Sequence, residues 1–236
     1  MSAVALSKSL PVLSPSVETD PTRAKLIAAA GEVFAELGFQ SATVREICNR
    51  AGANVAAVNY HFRDKLGLYT EVLRDSICAN QGEILQEAIK NAKTPEESLR
   101  LLISGMLRRM NAQDRPAWNV RIMAHEMAQP TPALGQVIQE ALQPRYNQLR
   151  GIISQILHLP ANHATTRLSA HSIIGQVIHY VHARPVIGIL WPDLNMKDTK
   201  DREMVANYIT DFTLRNLRAL ARKSKLAPTR KENSSK

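Results

Sequence analysis

Apolar side chains recur at three- and four-residue spacing along most of the chain, and each run is bounded by recognisable stop signals. Leu26, Ile27, Ala30, Phe34 and Leu37 fall on one helical face. Asp20 and Pro21 supply an N-cap and a first-turn proline, and Gly38 suits a left-handed end. Thr43-Val44-Arg45-Glu46 is a capping box that predicts a short helix over 44–50. Ala51-Gly52-Ala53 reads as a tight turn, Asn54 caps a third helix over 55–60, and Asp64 caps a longer one from Lys65. Two short helices joined by a small-residue turn form a helix-turn-helix arrangement. Short helix pairs are common in helical proteins, so this pattern alone does not assign a function.

The remainder also reads as helices. Thr94-Pro95-Glu96-Glu97 opens one that carries Leu99, Leu102, Ile103, Met106, Leu107 and Met110. Pro116 separates it from a helix around 118–128. Thr131-Pro132 starts a long helix through Leu134, Val137, Ile138, Leu142, Leu149, Ile152, Ile153 and Ile156, and Pro144 should kink or split it. Pro160 marks its end. Another apolar helix covers 165–182, Pro185 and Pro192 bracket a loop, and the last helix spans 201–222. The expected fold is all-α, with an N-terminal three-helix unit over 21–66 and a larger helical domain over 67–222. Residues 1–20 and 223–236 read as a disordered arm and a disordered basic tail.

Composition narrows the class. Ten glycines in 236 residues favour helix over sheet. Two unclustered cysteines, Cys48 and Cys78, offer neither a disulfide framework nor metal-ligand spacing, which fits a reducing cytoplasm. No targeting segment or membrane span is expected. The net charge is +9, yet residues 1–75 balance, and residues 215–236 hold eight basic side chains against one acidic. The excess therefore marks the tail rather than a DNA-binding surface.

The segment AGANVAAVNYHFRDKLGLYTEVL carries the most information. Together with Phe34-Ala35-Glu36-Leu37-Gly38-Phe39, Thr43-Val44-Arg45-Glu46-Ile47, Ala51-Gly52 and Tyr60-His61-Phe62 followed by Lys65, it resembles the DNA-binding domain of the TetR family. The resemblance implies a homodimer on palindromic operator DNA, acting as a repressor that a small molecule releases, with an activator on the same fold as the alternative. It implies phosphate contacts from Thr43, Tyr60, His61 and Lys65, whose hydroxyl, imidazole and ammonium groups are suitable donors. Base reading would fall to Arg45, Val55, Ala56 and Ala57, next to the capping Asn54, with Arg45 suited to guanine. Asn59 departs from the aromatic usual in the family and could meet a phosphate or an adenine edge. Gly67 replaces an acidic residue, which should weaken the cap of the fourth helix without disturbing the fold. Val58 and Ile47 are read as core.

In the larger domain, AHEMAQPTPAL at 124–134 and GQVIHYVHARPVIGILWP at 175–192 are similar to the CecR (YbiH-like) group of TetR regulators, which implies control of drug-sensitivity or efflux genes. His125 and Glu126 suit a polar anchor in an apolar ligand pocket or a buried structural pair. Met106, Trp118 and Arg121 could line the same cavity or be core, and His179 could face a pocket or a dimer interface. No cofactor is expected. His171, His179 and His182 lack the spacing of a metal site, and no nucleophile–base pair, phosphate loop or metal motif supports an enzyme. Ile173, Ile174, Val177, Ile178, Val181, Val205, Ile209, Phe212, Leu214 and Leu217 would form the four-helix dimer seam that the resemblance implies; the alternative is intramolecular core.

Overall fold

The computed structural model describes residues 20–78, 83–111 and 118–226. The arm before residue 20, the tail beyond 226, Pro116 and the side chain of Cys78 lie outside the described residues. Every regular element among the described residues is a helix: α1 (Pro21–Ser41), α2 (Val44–Ala51), α3 (Val55–Phe62), α4 (Lys65–Cys78), α5 (Glu83–Lys90), α6 (Pro95–Met110), α7 (Trp118–Ala128), α8 (Pro132–Val137), α9 (Gln143–Leu157), α10 (Ala164–His182), α11 (Arg184–Leu190) and α12 (Thr199–Leu226). Among the described residues, no single helix is long and apolar enough to cross a membrane.

The expected caps are formed. Asp20 accepts from the Thr22 amide, Thr43 from Glu46, Asn54 from Ala56 and Thr94 from Glu97. The helical part of α1 breaks at Gly38, whose φ of 75° only glycine holds without strain. Two elements were not foreseen. Residues 79–93 carried no assignment, yet α5 packs there on α6. The proline-bracketed loop contains α11, because Pro185 occupies a first-turn position where its missing N–H has no intrahelical partner to lose. Arg184 fixes this helix to the end of α6, donating to Met110 O and to Asn111 Oδ1 at 2.6 Å.

Two apolar cores form. The first joins α1–α4 with α7 and α8 through Leu26, Phe34, Ile47, Val58, Leu68, Trp118, Ile122 and Val137. The second joins α5, α6, α9, α10 and α12 through Leu99, Ile103, Leu149, Ile153, Ile173 and Ile209. At the end of the first core, residues Ile138–Leu142 form one π-helical turn, closed by the Gln143 N–H donating to Ile138 O. Pro144 follows directly; it has no N–H for the carbonyl four residues back, so the widened turn is the split its position predicts.

Gly31 of α1 lies against the Trp118 ring of α7. A Cβ there would stand 2.3 Å from Trp118 Cε2. Gly31→Ala should therefore lower stability by about 1–3 kcal/mol, despite alanine's higher helix propensity. Thermal unfolding with Trp118 fluorescence as a second probe checks this, and an unchanged melting curve would contradict the close packing.

Candidate nucleic-acid interface

The helix-turn-helix is built by local rules and then locked by distant ones. Gly52, at φ 63°, turns the chain between α2 and α3. Ile47, Cys48, Val58 and Phe62 are buried against α1 and α4, and burial raises the pKa of the Cys48 thiol. The opposite faces are open. Thr43, Arg45, Asn54, Val55, Ala56, Asn59 and Tyr60 are exposed, and Ala57 is half-buried. Tyr60 is 83% exposed, an unusual position for a large ring that has core available nearby.

Arg50 holds α2 to α1 by a bidentate pair with Glu36 at 2.9 and 3.0 Å. The Arg50 hydrogen bond keeps the Glu36 carboxyl below its ordinary range. His61 is less open than its neighbour. Its side chain is 11% exposed, and Nε2 lies 3.4 Å from Asp20 Oδ2 at the start of α1. Lys65 donates to Ala42 O at 2.9 Å and Gln40 O at 3.3 Å, and lies over the Phe39 ring. Both residues thus brace the bundle as well as bordering α3. An ammonium has three donors, so these two bonds leave one direction available.

The α3–α4 turn is tight. Arg63 adopts φ 73° and ψ −51°, a region that side-chain-bearing residues rarely hold. Asp64 Oδ1 accepts from the Gly67 amide at 2.7 Å, so the α4 cap is present with glycine in place. The space at Gly67 matters more than its cap, since a Cβ would stand 2.0 Å from Phe62 O.

The six residues read as ligand contacts are divided between the two cores and the surface. Trp118 packs on α1 at Gly31. Arg121 is exposed. His125 Nε2 lies 3.1 Å from Ala35 O. Glu126 is buried, with Tyr69 and Thr131 as partners. Met106 packs against the second core, and His179 is exposed on α10. Among the described residues, no three His, Cys, Asp or Glu side chains gather into a metal-holding group.

The expected dimer seam is largely core within one chain. Ile173, Val177, Val181, Val205, Ile209, Leu214 and Leu217 are buried in the protomer, and Ile174 and Ile178 partly so. Only Phe212 of that set is exposed. It joins Met204 and Tyr208 in a second apolar stripe along α12, with Leu168 exposed on α10. Sequence reading also missed the ion pairs of Arg23 and Arg74 with Glu71, and of Arg74 with Glu140. Arg23–Glu71 and Arg74–Glu140 join residues 48 and 66 positions apart and leave no local pattern, whereas Arg74–Glu71 is an i,i+3 pair on α4 that helical spacing offered.

Comparison with known proteins agrees with this geometry. Residues 26–72 match the family of bacterial regulatory proteins of tetR type. Residues 95–220 match the C-terminal domain of the HTH-type transcriptional dual regulator CecR. The CecR protein of Shigella flexneri is 28% identical over 174 residues, covering 70% of this chain and 78% of that one. The transcriptional activator FasR of Mycolicibacterium smegmatis is 32% identical over 84 residues, which is 36% of this chain and 38% of its own. In fold, the chain resembles the regulator FadR of Bacillus subtilis, solved in complex with stearoyl-CoA. That likeness has a TM-score of 0.59 and 22% identity, over 81% of this chain and 97% of that one. The chain belongs to the TetR family of transcription regulators, with a C-terminal domain of CecR type.

Proposed function

We propose that the protein is a homodimeric repressor that binds palindromic operator DNA in the cytoplasm and leaves it when a small molecule binds its C-terminal helices. The observation that carries this reading is the exposed face of α2 and α3. Arg45, Val55, Ala56 and Asn59 stand open on helices whose other sides are buried, flanked by Thr43 and Tyr60. A short helix presented in this way fits the major groove. Arg45 reads guanine, the small apolar residues and Ala57 meet thymine methyls, and Asn59 takes a phosphate or an adenine edge. Thr43, Tyr60, His61 and Lys65 hold phosphates, and Asn54 caps the reading helix.

Two copies must set their recognition helices roughly 34–36 Å apart, one turn of DNA. The exposed stripe of Met204, Tyr208 and Phe212 on α12, beside Leu168 on α10, supports pairing of these faces across a two-fold axis. An effector that favours a different separation would weaken operator binding by about 5- to 150-fold. CecR-type resemblance suggests drug-sensitivity or efflux genes as targets. Stearoyl-CoA is the first effector probe, because a regulator of the same fold was solved with it.

The test is selection of duplexes from a random pool by the full-length protein, followed by titration with an Arg45→Ala/His61→Ala double variant at two salt concentrations. Enrichment of a palindrome that the variant binds more weakly by about 2 kcal/mol or more is expected. Binding that ignores sequence and falls only with salt would instead point to the basic tail. Placing the selected site ahead of a reporter gene reads the sign of control: a repressor lowers its output.

A further inference from the structure

Glu126 is only 1% exposed, yet it carries a carboxylate. Its Oε1 accepts from the Tyr69 hydroxyl at 2.6 Å and from Thr131 Oγ1 at 2.7 Å, and Oε2 accepts from the Thr131 amide at 3.0 Å. One side chain on α7 thereby joins α4 to the first turn of α8. Burial and the adjacent carboxylate push the Tyr69 phenol far above its ordinary range, which keeps it a donor. Around this point α7 is held again, by His125 at Ala35 O and by Asn119 Oδ1 accepting from Ser76 Oγ. The first core runs without a break from α1 through α4 to α7 and α8 and ends at Leu142. The second core takes up the same helical rod from Tyr146 and Leu149 onward. The π-turn is the end of the first core, which Ala141 and Leu142 join and Glu140 ties to Arg74 of α4, and Pro144 stands between it and the second core.

We propose that Glu126 is a positioning residue for operator binding. It makes α7, α8 and the Ile138–Leu142 turn part of the body that carries the recognition helix, and that body swings against the second core where the turn ends, at Pro144. This rests on the operator-binding reading above. Effector-driven movement of α9 would then reach α3 by two routes, directly into α4 through Arg145, which donates to Ile77 O at 2.7 Å, and through the π-turn, α8 and the Glu126 clasp. Buried carboxylates are retained only where their hydrogen bonds are complete. π-turns recur where helices serve function.

The test uses the full-length protein in two arms. In the first, native-state hydrogen exchange of the free protein groups amides by opening free energy and its dependence on urea. Amides of α7 and α8 should open with α1 and α4, and those of α9 with α6 and α12. In Glu126→Gln, an amide offers one acceptor oxygen to three donors and turns its own N–H toward them. Protection of α7 and α8 should then separate from that of α1. Grouping of α8 with α9 in the wild type would overturn the proposal.

In the second arm, Glu126→Gln and Tyr69→Phe are titrated with a duplex enriched by the wild type. Each should weaken binding about fivefold or more, and the double variant little further. The salt dependence should stay unchanged, since no phosphate contact is lost. A variant of lowered melting temperature that binds the duplex as wild type would show a purely structural role and overturn positioning. If the wild type enriches no duplex, the operator-binding reading fails, and positioning for operator binding falls with it. The exchange arm then still decides whether α7 and α8 share a body with α1 and α4.

Discussion

Gly67→Ala should displace the recognition helix although alanine is the better helix former. The new Cβ would stand 2.0 Å from Phe62 O, the last carbonyl of α3, and that atom belongs to backbone rather than to a side chain that can rotate away. Relief requires α3 to move relative to α4, or the Arg63 turn to open. Arg63 is already in a sparsely populated conformation, so this turn has little freedom to absorb the shift. Overpacking of this kind costs about 1–3 kcal/mol and more where backbone must move. The gain from helix propensity is only about 1 kcal/mol. Operator affinity should therefore fall at least about tenfold, a shift of about 1.4 kcal/mol. Gly135→Ala is the matched control. It lies on α8 with nothing within 4 Å of a Cβ, and should stabilise the protein by about 0.4–1 kcal/mol. Melting temperatures and duplex titrations of both variants decide the matter. Equal behaviour of the two alanines would remove the tight α3–α4 approach as a determinant.

Replacing Tyr208 and Phe212 together by aspartate should give a folded monomer. Their rings stack on one another with centroids 6.4 Å apart, and they are 68% and 55% exposed. The buried side of α12 lies elsewhere, along Val205, Ile209 and Leu217, so the substitutions leave the protomer's own core intact. At a two-fold face each new charge appears twice and meets its own copy or apolar surface. Desolvating an unpaired charge costs about 3–5 kcal/mol, enough to raise the dimer dissociation constant more than about 100-fold. Analytical ultracentrifugation gives the mass, and circular dichroism reports whether the helices survive. Operator binding should fall with dimer content, because one helix-turn-helix reaches only one half-site. A variant that keeps the mass of a dimer would place the interface on another surface, with Ile189 and Leu190 of α11 the next exposed apolar residues to alter.

Much of the helix-turn-helix was legible in the chain because its determinants are local. Asp20, Thr43 and Asn54 cap within three residues of themselves, Gly38 and Gly52 end helices by their own backbone freedom, and Pro144 disturbs the turn beside it. The apolar periodicity of α1 and α6 likewise marked most of the side that is buried, although Leu37 of the α1 face is exposed and Val33, outside it, is buried. Which side chains of α2 and α3 stay open followed from the same period, since the faces opposite Ile47 and Val58 had to be exposed.

What local pattern could not decide was which buried face meets which. Helix α12 has two apolar stripes, and periodicity alone does not say that Val205 and Ile209 turn inward while Tyr208 and Phe212 remain outside. Glu126 read equally as pocket anchor or structural group, because its partner Tyr69 lies 57 residues away. Gly67 read as a weakened cap, since nothing in the sequence shows that Phe62 O comes within 2.0 Å of its missing Cβ. Even the boundary between the two cores is tertiary. Residues 118–142 follow α6 in the chain, but Trp118, Glu126 and Val137 pack with the N-terminal helices. The chain by itself determined most of the helices, many of their ends and the open face of α2 and α3, because those depend on a few neighbouring residues, while α5 and α11 escaped it. The tertiary structure decided the partners, because burial and hydrogen-bond satisfaction are settled only between side chains that folding brings together.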